Sequence, residues 1–185
     1  HINDTLDILC RSDDPMDAQS VDAGIVRAMV VNLKQCDYDY ILFDATNSIR
    51  DTTSAHLALS NLILYITTLD ATTLNETENT YKALRKMQFD MSKLKVILNK
   101  MPKDERNMDI YPQEIENWFN TKIVAQIPDI SDKLRTANNE GRCYTMDNLK
   151  SDFAKELQKV VNLITPTFKE KKSLLGSLFA GKKGR

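Results

Sequence analysis

NLILYITTLDATTLNETENTYKALRKMQFDMSKLKVILNK, residues 61–100, decides the fold. It opens on one apolar run, Leu62-Ile63-Leu64-Tyr65-Ile66, and closes on another, Leu94-Lys95-Val96-Ile97-Leu98. Both are near-continuous rather than alternating, the pattern of strands buried on two faces. Between them Leu74, Thr77, Tyr81, Leu84 and Met87 fall on one face of a helix that should start near Thr72 or Thr73. Strand, helix and strand joined this tightly make a βαβ unit and hence a parallel sheet.

The same alternation extends both ways. Downstream, Asp109–Phe119 reads as a short helix with Pro112 in its first turn. A weaker strand covers Lys122–Ile127. Ser131-Asp132 opens a further helix that stops at Gly141, and a last one spans about Met146 to Leu163, before Pro166. Upstream lie the strand-like runs Leu6–Cys10 and Tyr40-Ile41-Leu42-Phe43. The first of these is followed by a helix on Val21, Ile25, Ala28, Met29 and Leu33, and Asp51-Thr52-Thr53-Ser54 caps another helix that runs to about Ser60. The expected architecture is α/β: a doubly wound, mostly parallel sheet flanked by helices.

With 185 residues, 42% hydrophobic and 28% charged, the chain suits one ordinary soluble domain. No run approaches the roughly 18 apolar residues of a membrane span. Cys10, Cys36 and Cys143 are widely spaced and few in number, which fits a reducing cytosol and small buried or half-buried hydrophobes rather than disulfides or zinc. The net charge of −1 is unevenly shared. Lys169, Lys171, Lys172, Lys182, Lys183 and Arg185 stand against Glu170 alone, so a basic tail follows an acidic body. Residues 1–167 are therefore expected to be domain and 168–185 tail, and the acidic body argues against a nucleic-acid partner. His1 in place of Met, with a strand-like run almost at once, suggests part of a longer protein.

In an open parallel sheet, ligands bind at the carboxyl ends of strands. Three strand ends carry candidate residues. Asp44 closes Asp39-Tyr40-Ile41-Leu42-Phe43-Asp44, where an acid either reaches magnesium through water or caps the next turn. Asn99 follows Val96-Ile97-Leu98; its amide suits a purine edge or is simply a polar strand end. Pro128 and Asp129 follow Ile127, either as acceptor for a base amino group or as a structural turn. His56 and His1 have no partner at triad or zinc spacing.

Taken in order, these pieces resemble the MinD/ParA type of P-loop ATPase, its CpaE/TadZ pilus-assembly branch in particular. "LDILCRSDDPMDAQSVDAGIVRAMVVNLKQCDYDYILFD" is similar to that branch's short strand, proline with nearby acids, helix and "DYVVVD" strand. "ATNSIRDTTSAHLALSNLILYITTLDATTLNETENTYKAL" is similar to switch II, a helix, the "LLVTTPD" strand and its following helix. "LKVILNKM" and "KIVAQIPDISDKLRTANNEGRCY" resemble the "LVLNR" strand and the "IPxDxxxVxxAxNxGxP" segment. The resemblance covers about residues 5–160 and rests on order and spacing.

It implies binding of ATP with Mg2+ at a homodimer interface, and slow hydrolysis that switches a positioning factor for pilus or secretion machinery. By position, Asp44 is the Walker B acid and magnesium partner, Ala45 to Arg50 are switch II, and Asn99, Pro128 and Asp129 line the adenine pocket. The implied location is the cytoplasm. Two departures stand out. No G-K-[ST] loop occurs, so the phosphate cradle is expected upstream of this sequence. Switch II reads Ala45-Thr46-Asn47-Ser48 where relatives often have proline or glycine after the acid, which leaves hydrolysis open. A non-catalytic scaffold on the same fold, or a chromosome or plasmid partition ATPase, are the alternatives.

The tail has three readings. Leu174, Leu175, Leu178 and Phe179 between lysines could lie on the inner face of an anionic membrane, as the MinD C-terminal helix does. The same segment could dock on a partner, or it could be a solubilising end that touches nothing.

Overall fold

Asp22 accepts the backbone N–H of Ile25 at 2.8 Å and so begins the first helix, α1 (Ala23–Leu33). Its Val26 and Val30, four residues apart and thus on one face, bury against Ala55 of α2 (Asp51–Leu59), with Phe43 and Leu59 packed alongside. The Lys34 ammonium donates to the Leu59 carbonyl at 3.1 Å, serving an orphan acceptor at the end of α2. These elements belong to the first of two compact units, which meet in sequence between Asn61 and Leu62. The computed structural model describes residues 5–10, 20–46, 49, 51–104, 106 and 108–165. The basic tail lies outside them, as do Asn47, Ser48 and Arg50 of the expected switch II.

Neither apolar run of this unit forms the expected strand. Leu6 makes a single bridge, residues 7–10 and 40–46 carry no strand, and Leu42 is 80% exposed. A β-strand exists only where a neighbour takes its backbone hydrogen bonds, and apolar content alone does not provide one. The Leu6–Cys10 segment is instead tied down by the Tyr38 hydroxyl, which donates to the Asp7 carboxylate at 2.8 Å.

The second unit holds a parallel three-stranded sheet in the order β1-β2-β3, with β1 at Ile63–Thr67, β2 at Leu94–Met101 and β3 at Ile123–Pro128. Between β1 and β2 runs α3 (Ala71–Lys86). It is capped by Asp70, which accepts the Thr73 N–H at 2.9 Å, so the helix begins one residue ahead of the expected threonines. A 3-10 turn, Met91–Lys93, leads into β2. Between β2 and β3 lies α4 (Pro112–Phe119), with Pro112 in its first turn and Glu114 reaching back to accept the Tyr111 N–H at 2.7 Å.

After β3 comes α5 (Ser131–Asn139). Gly141 ends it at φ 66, letting its own N–H reach Asn138 and that of Arg142 reach Ala137. The single final helix expected over 146–163 is two: α6 (Tyr144–Asp147) and α7 (Asp152–Ile164). Asn148 and Ser151 cause the break. The Asn148 amide donates to the Tyr144 carbonyl, while the Ser151 hydroxyl donates to the Asn148 carbonyl and receives the Ala154 N–H as the cap of α7.

Because side chains alternate along a strand, the sheet presents two apolar faces. Ile97, Ala125 and Ile127 pack with Val160, Phe153 and Leu157 of α7. On the opposite face Tyr65 and Thr67 of β1 meet Tyr81 and Thr77 of α3, and Tyr81 in turn meets Phe119 of α4. Helices on both faces of a parallel sheet make the doubly wound α/β arrangement. Burial on both faces is incomplete at β1, where Ile66 is 60% exposed.

The outer side of β3 is finished by side chains. Glu156 of α7 accepts the Gln126 N–H, and Glu116 of α4 accepts the Ile123 N–H, each at 3.0 Å. Cys10, Cys36 and Cys143 are all exposed and free, against the buried role expected of them. Cys36 follows the end of α1 and Cys143 precedes α6, positions where the chain turns at the surface and offers no core to enter.

Candidate functional site

The carboxyl ends of β1, β2 and β3 lie side by side in the second unit, and the chain does something unusual there. From Leu98 to Met101 β2 takes three steps while β3 takes two, from Gln126 to Pro128. Asn99 and Lys100 thus face Ile127 as a β-bulge, and Lys100 adopts a left-handed backbone with φ 53. A bulge re-aims side chains that a regular strand would send to alternate faces. Asn99 is consequently not a strand end but an interior, half-buried residue of a longer strand. Its side-chain oxygen accepts the Lys100 N–H at 3.0 Å, leaving one acceptor lone pair and both amide donors for other partners.

Beside it, the Asp129 N–H donates to the Met101 carbonyl at 2.8 Å, clamping the end of β3 to the end of β2. Asn99, Pro128 and Asp129 are therefore brought to one edge of one sheet. The Asp129 carboxylate is held below its ordinary range, first by the Ser131 hydroxyl at 2.6 Å and then by the Ser131 N–H at 2.9 Å, with the Lys100 charge adding a smaller pull. One Asp129 oxygen is thus spoken for by the start of α5, and the other stays available.

Next to this edge a cleft of about 460 Å³ is lined by Thr68, Asp70, Thr73, Lys100, Pro102 and Met108, among others. The Asp70 carboxyl is pulled down to about 2, chiefly by the hydroxyl of Thr68 and then by the Thr73 backbone N–H. An ionised Asp70 and the Lys100 ammonium thus share a cleft in which a polar planar ligand would find donors and acceptors together. Lys100, Thr68 and Asp70 were not singled out from sequence. The signal for Asp70 was the Thr67-Thr68-Leu69-Asp70 run just ahead of a helix; the left-handed Lys100 leaves none, because register is not written locally.

Asp44 lies in the first unit, exposed, in a stretch without ladder hydrogen bonds among the described residues. Its neighbour Phe43 stacks on His56, with ring centroids 4.7 Å apart and planes 22° apart. Burial lowers the His56 pKa, and its Nε2 is buried without a hydrogen-bond partner among the described residues. Among the described residues no three His, Cys, Asp or Glu side chains gather as a metal site. A lone carboxylate suits only a hard cation that keeps most of its water and takes its other oxygens from a ligand, which is how Mg2+ is commonly held.

No family model matches the chain, and no curated protein matches it either. Solved structures do. A ParA family ATPase from Chlorobium tepidum TLS superposes with a TM-score of 0.74 at 22% identity, covering 84% of this chain and 63% of its own. The cell division ATPase MinD of Pyrococcus furiosus gives 0.66 at 20% identity, covering 84% and 63%. MinD of Aquifex aeolicus, in a MinC:MinD complex, gives 0.69 at 19% identity, covering 80% and 60%. The chain thus has the fold of the MinD/ParA P-loop ATPases and spans less than two thirds of the length of these structures.

Proposed function

We propose that this chain carries the base-recognising and state-sensing parts of an ATP-binding, nucleotide-switched positioning factor of the CpaE/TadZ kind, serving pilus or secretion machinery. The observation that supports this most is the bulged Asn99-Lys100 step beside Pro128-Asp129, at the sheet edge where parallel α/β folds take their ligands. The free amide donors of Asn99 suit the ring nitrogens of adenine, and its spare lone pair suits the exocyclic amine. Asp44 would hold Mg2+ through water. The G-K-[ST] phosphate cradle is not among these 185 residues and would come from elsewhere in the polypeptide. ATP with Mg2+, when bound, would supply the negative charge to which the segment beginning at Ala45 responds in this reading.

The working form in this reading is a homodimer that meets a machinery protein, as the Aquifex MinD meets MinC. Among the described residues no helix is long and apolar enough to cross a membrane. Residues 168–185 would give a cytoplasmic protein a peripheral contact with the membrane's inner face.

The base site is tested on this chain by nitrogen-15 NMR during titration with adenosine and with guanosine. Adenosine should shift the Asn99 side-chain amide and the Lys100 N–H, guanosine should do so more weakly, and Asn99→Ala should abolish the response. An adenosine titration that leaves both signals still would refute the base site. A second reading, a scaffold on the same fold without turnover, is favoured by Ala45-Thr46 directly after Asp44. Phosphate release from Mg-ATP by the complete polypeptide, lost in Asp44→Ala, would speak for the switch; binding without release would speak for the scaffold.

A further inference from the structure

Along α3, from Ala71 in its first turn to Arg85 in its last, a groove of about 640 Å³ opens between α3 and α4. Its size falls within the range of small-molecule sites. The floor is aromatic: Tyr81 and Phe119 have ring centroids 4.5 Å apart, and Trp118 stands at the wall 58% exposed. A tryptophan left this open in a concave apolar setting forgoes much of the burial its side chain would gain from a partner.

Two polar groups in the groove are unspent. Tyr81 is only 4% exposed, and among the described residues its hydroxyl makes no hydrogen bond, although the Thr121 side chain acts on it. An orphaned buried hydroxyl is destabilising and marks a place that a ligand atom can fill. One turn along the same helix face, Arg85 makes no ion pair among the described residues, and its charge acts on Tyr81. The other two charges of the groove, Glu78 and Lys82, cancel each other at 2.6 Å. The groove therefore has an aromatic floor, one net positive charge and one unmet hydroxyl donor beside that charge.

We infer that this groove is a binding site for a small aromatic carboxylate, whose ring lies against Trp118 and Phe119 and whose carboxylate is shared by Arg85 and the Tyr81 hydroxyl. The site is built within α3 and α4 and is independent of the nucleotide reading. A neutral aromatic would gain the ring contacts and leave both polar groups unmet. A carboxylate without a ring would gain little over water, since Arg85 is solvent-exposed.

Trp118 is the single tryptophan of the chain, so its indole N–H gives one assignable NMR signal that reports on the groove. The full chain is titrated with 2-naphthoate and, separately, with the neutral isostere 2-naphthalenemethanol. The expected result is a saturable shift of the indole signal with naphthoate and roughly tenfold weaker binding of the alcohol. Arg85→Met and Tyr81→Phe, which preserve the packing of the helix face, should each weaken naphthoate more than the alcohol, whose uncharged hydroxyl accepts only a weaker hydrogen bond. Equal affinity for the two probes, or indifference of naphthoate to both variants, overturns the proposal. So does an indole signal that moves only with an acidic, aromatic-containing peptide and not with naphthoate, which would make the groove a protein-docking surface.

Discussion

The Thr67 hydroxyl at the end of β1 and the Thr77 hydroxyl on α3 lie 2.8 Å apart, both buried. Thr77 donates its proton to the Thr73 carbonyl at 2.7 Å, so between the two threonines it is Thr67 that donates. The pair fixes β1 to the helix that follows it. Thr77→Val keeps the shape and leaves Thr67 without its acceptor. Urea unfolding should show a loss of about 1–3 kcal/mol, while Thr77→Ser should lose less; equal stability of the valine variant would mean that Thr67 finds its partner elsewhere.

Lys100 occupies a left-handed conformation that side chains resist and glycine does not. Lys100→Gly should therefore raise unfolding stability by up to about 1 kcal/mol, and Lys100→Val should lower it by at least as much. A glycine variant that is less stable than the parent would show that the lysine side chain, not the backbone, holds the bulge.

The Asp70 carboxyl titrates near 2, below its ordinary 3.8, because Thr68 and Thr73 donate to its ionised form. A carboxylate depressed in the folded state stabilises the fold above the unfolded pKa and loses that contribution as pH falls through the folded one. Stability should thus decline between about pH 4 and pH 2, and the decline should shrink in Asp70→Asn. Carbon-detected NMR of the Asp70 carboxyl checks the pKa directly; a midpoint near 4 would contradict the cap.

For His56 the direction is the same but the group is a cation when protonated. Burial depresses its pKa below the usual 6.5, so the unfolded chain takes up the proton first. The neutral ring's contribution is complete above pH 6.5 and falls away as the solution is acidified through the folded pKa. Thermal melts of wild type against His56→Phe should converge at neutral pH and separate in acid, with wild type dropping faster. Parallel curves would show that the ring against Phe43 titrates as if free.

What the sequence made legible was whatever depends on local pattern. The apolar runs Leu62–Ile66 and Leu94–Leu98, the 3–4 spacing from Leu74 to Leu84 (Met87, expected on the same face, caps the helix end exposed), Pro112 at a helix start and Gly141 at a helix stop all correspond to elements of the structure. Where the outcome depends on a distant partner, pattern was insufficient. Tyr40–Phe43 is as apolar as β1, yet no neighbouring strand among the described residues takes its hydrogen bonds. The apolar spacing from Met146 to Leu163 reads as continuous, but Asn148 and Ser151 turn their side chains onto the backbone and split it. Of the candidate site, Asn99 and Asp129 were visible as polar residues closing apolar runs, and Pro128 as the turn residue before Asp129. The bulge that groups them with Lys100 was not, since one extra residue in a ladder is a property of two strands at once.

The glutamates along β3 give the sheet a direction. Glu116 and Glu156 already hold the N–H groups of Ile123 and Gln126, so a newcomer strand on that side would have to evict two carboxylates. Two acids thus act as a selvedge on the β3 border of this sheet.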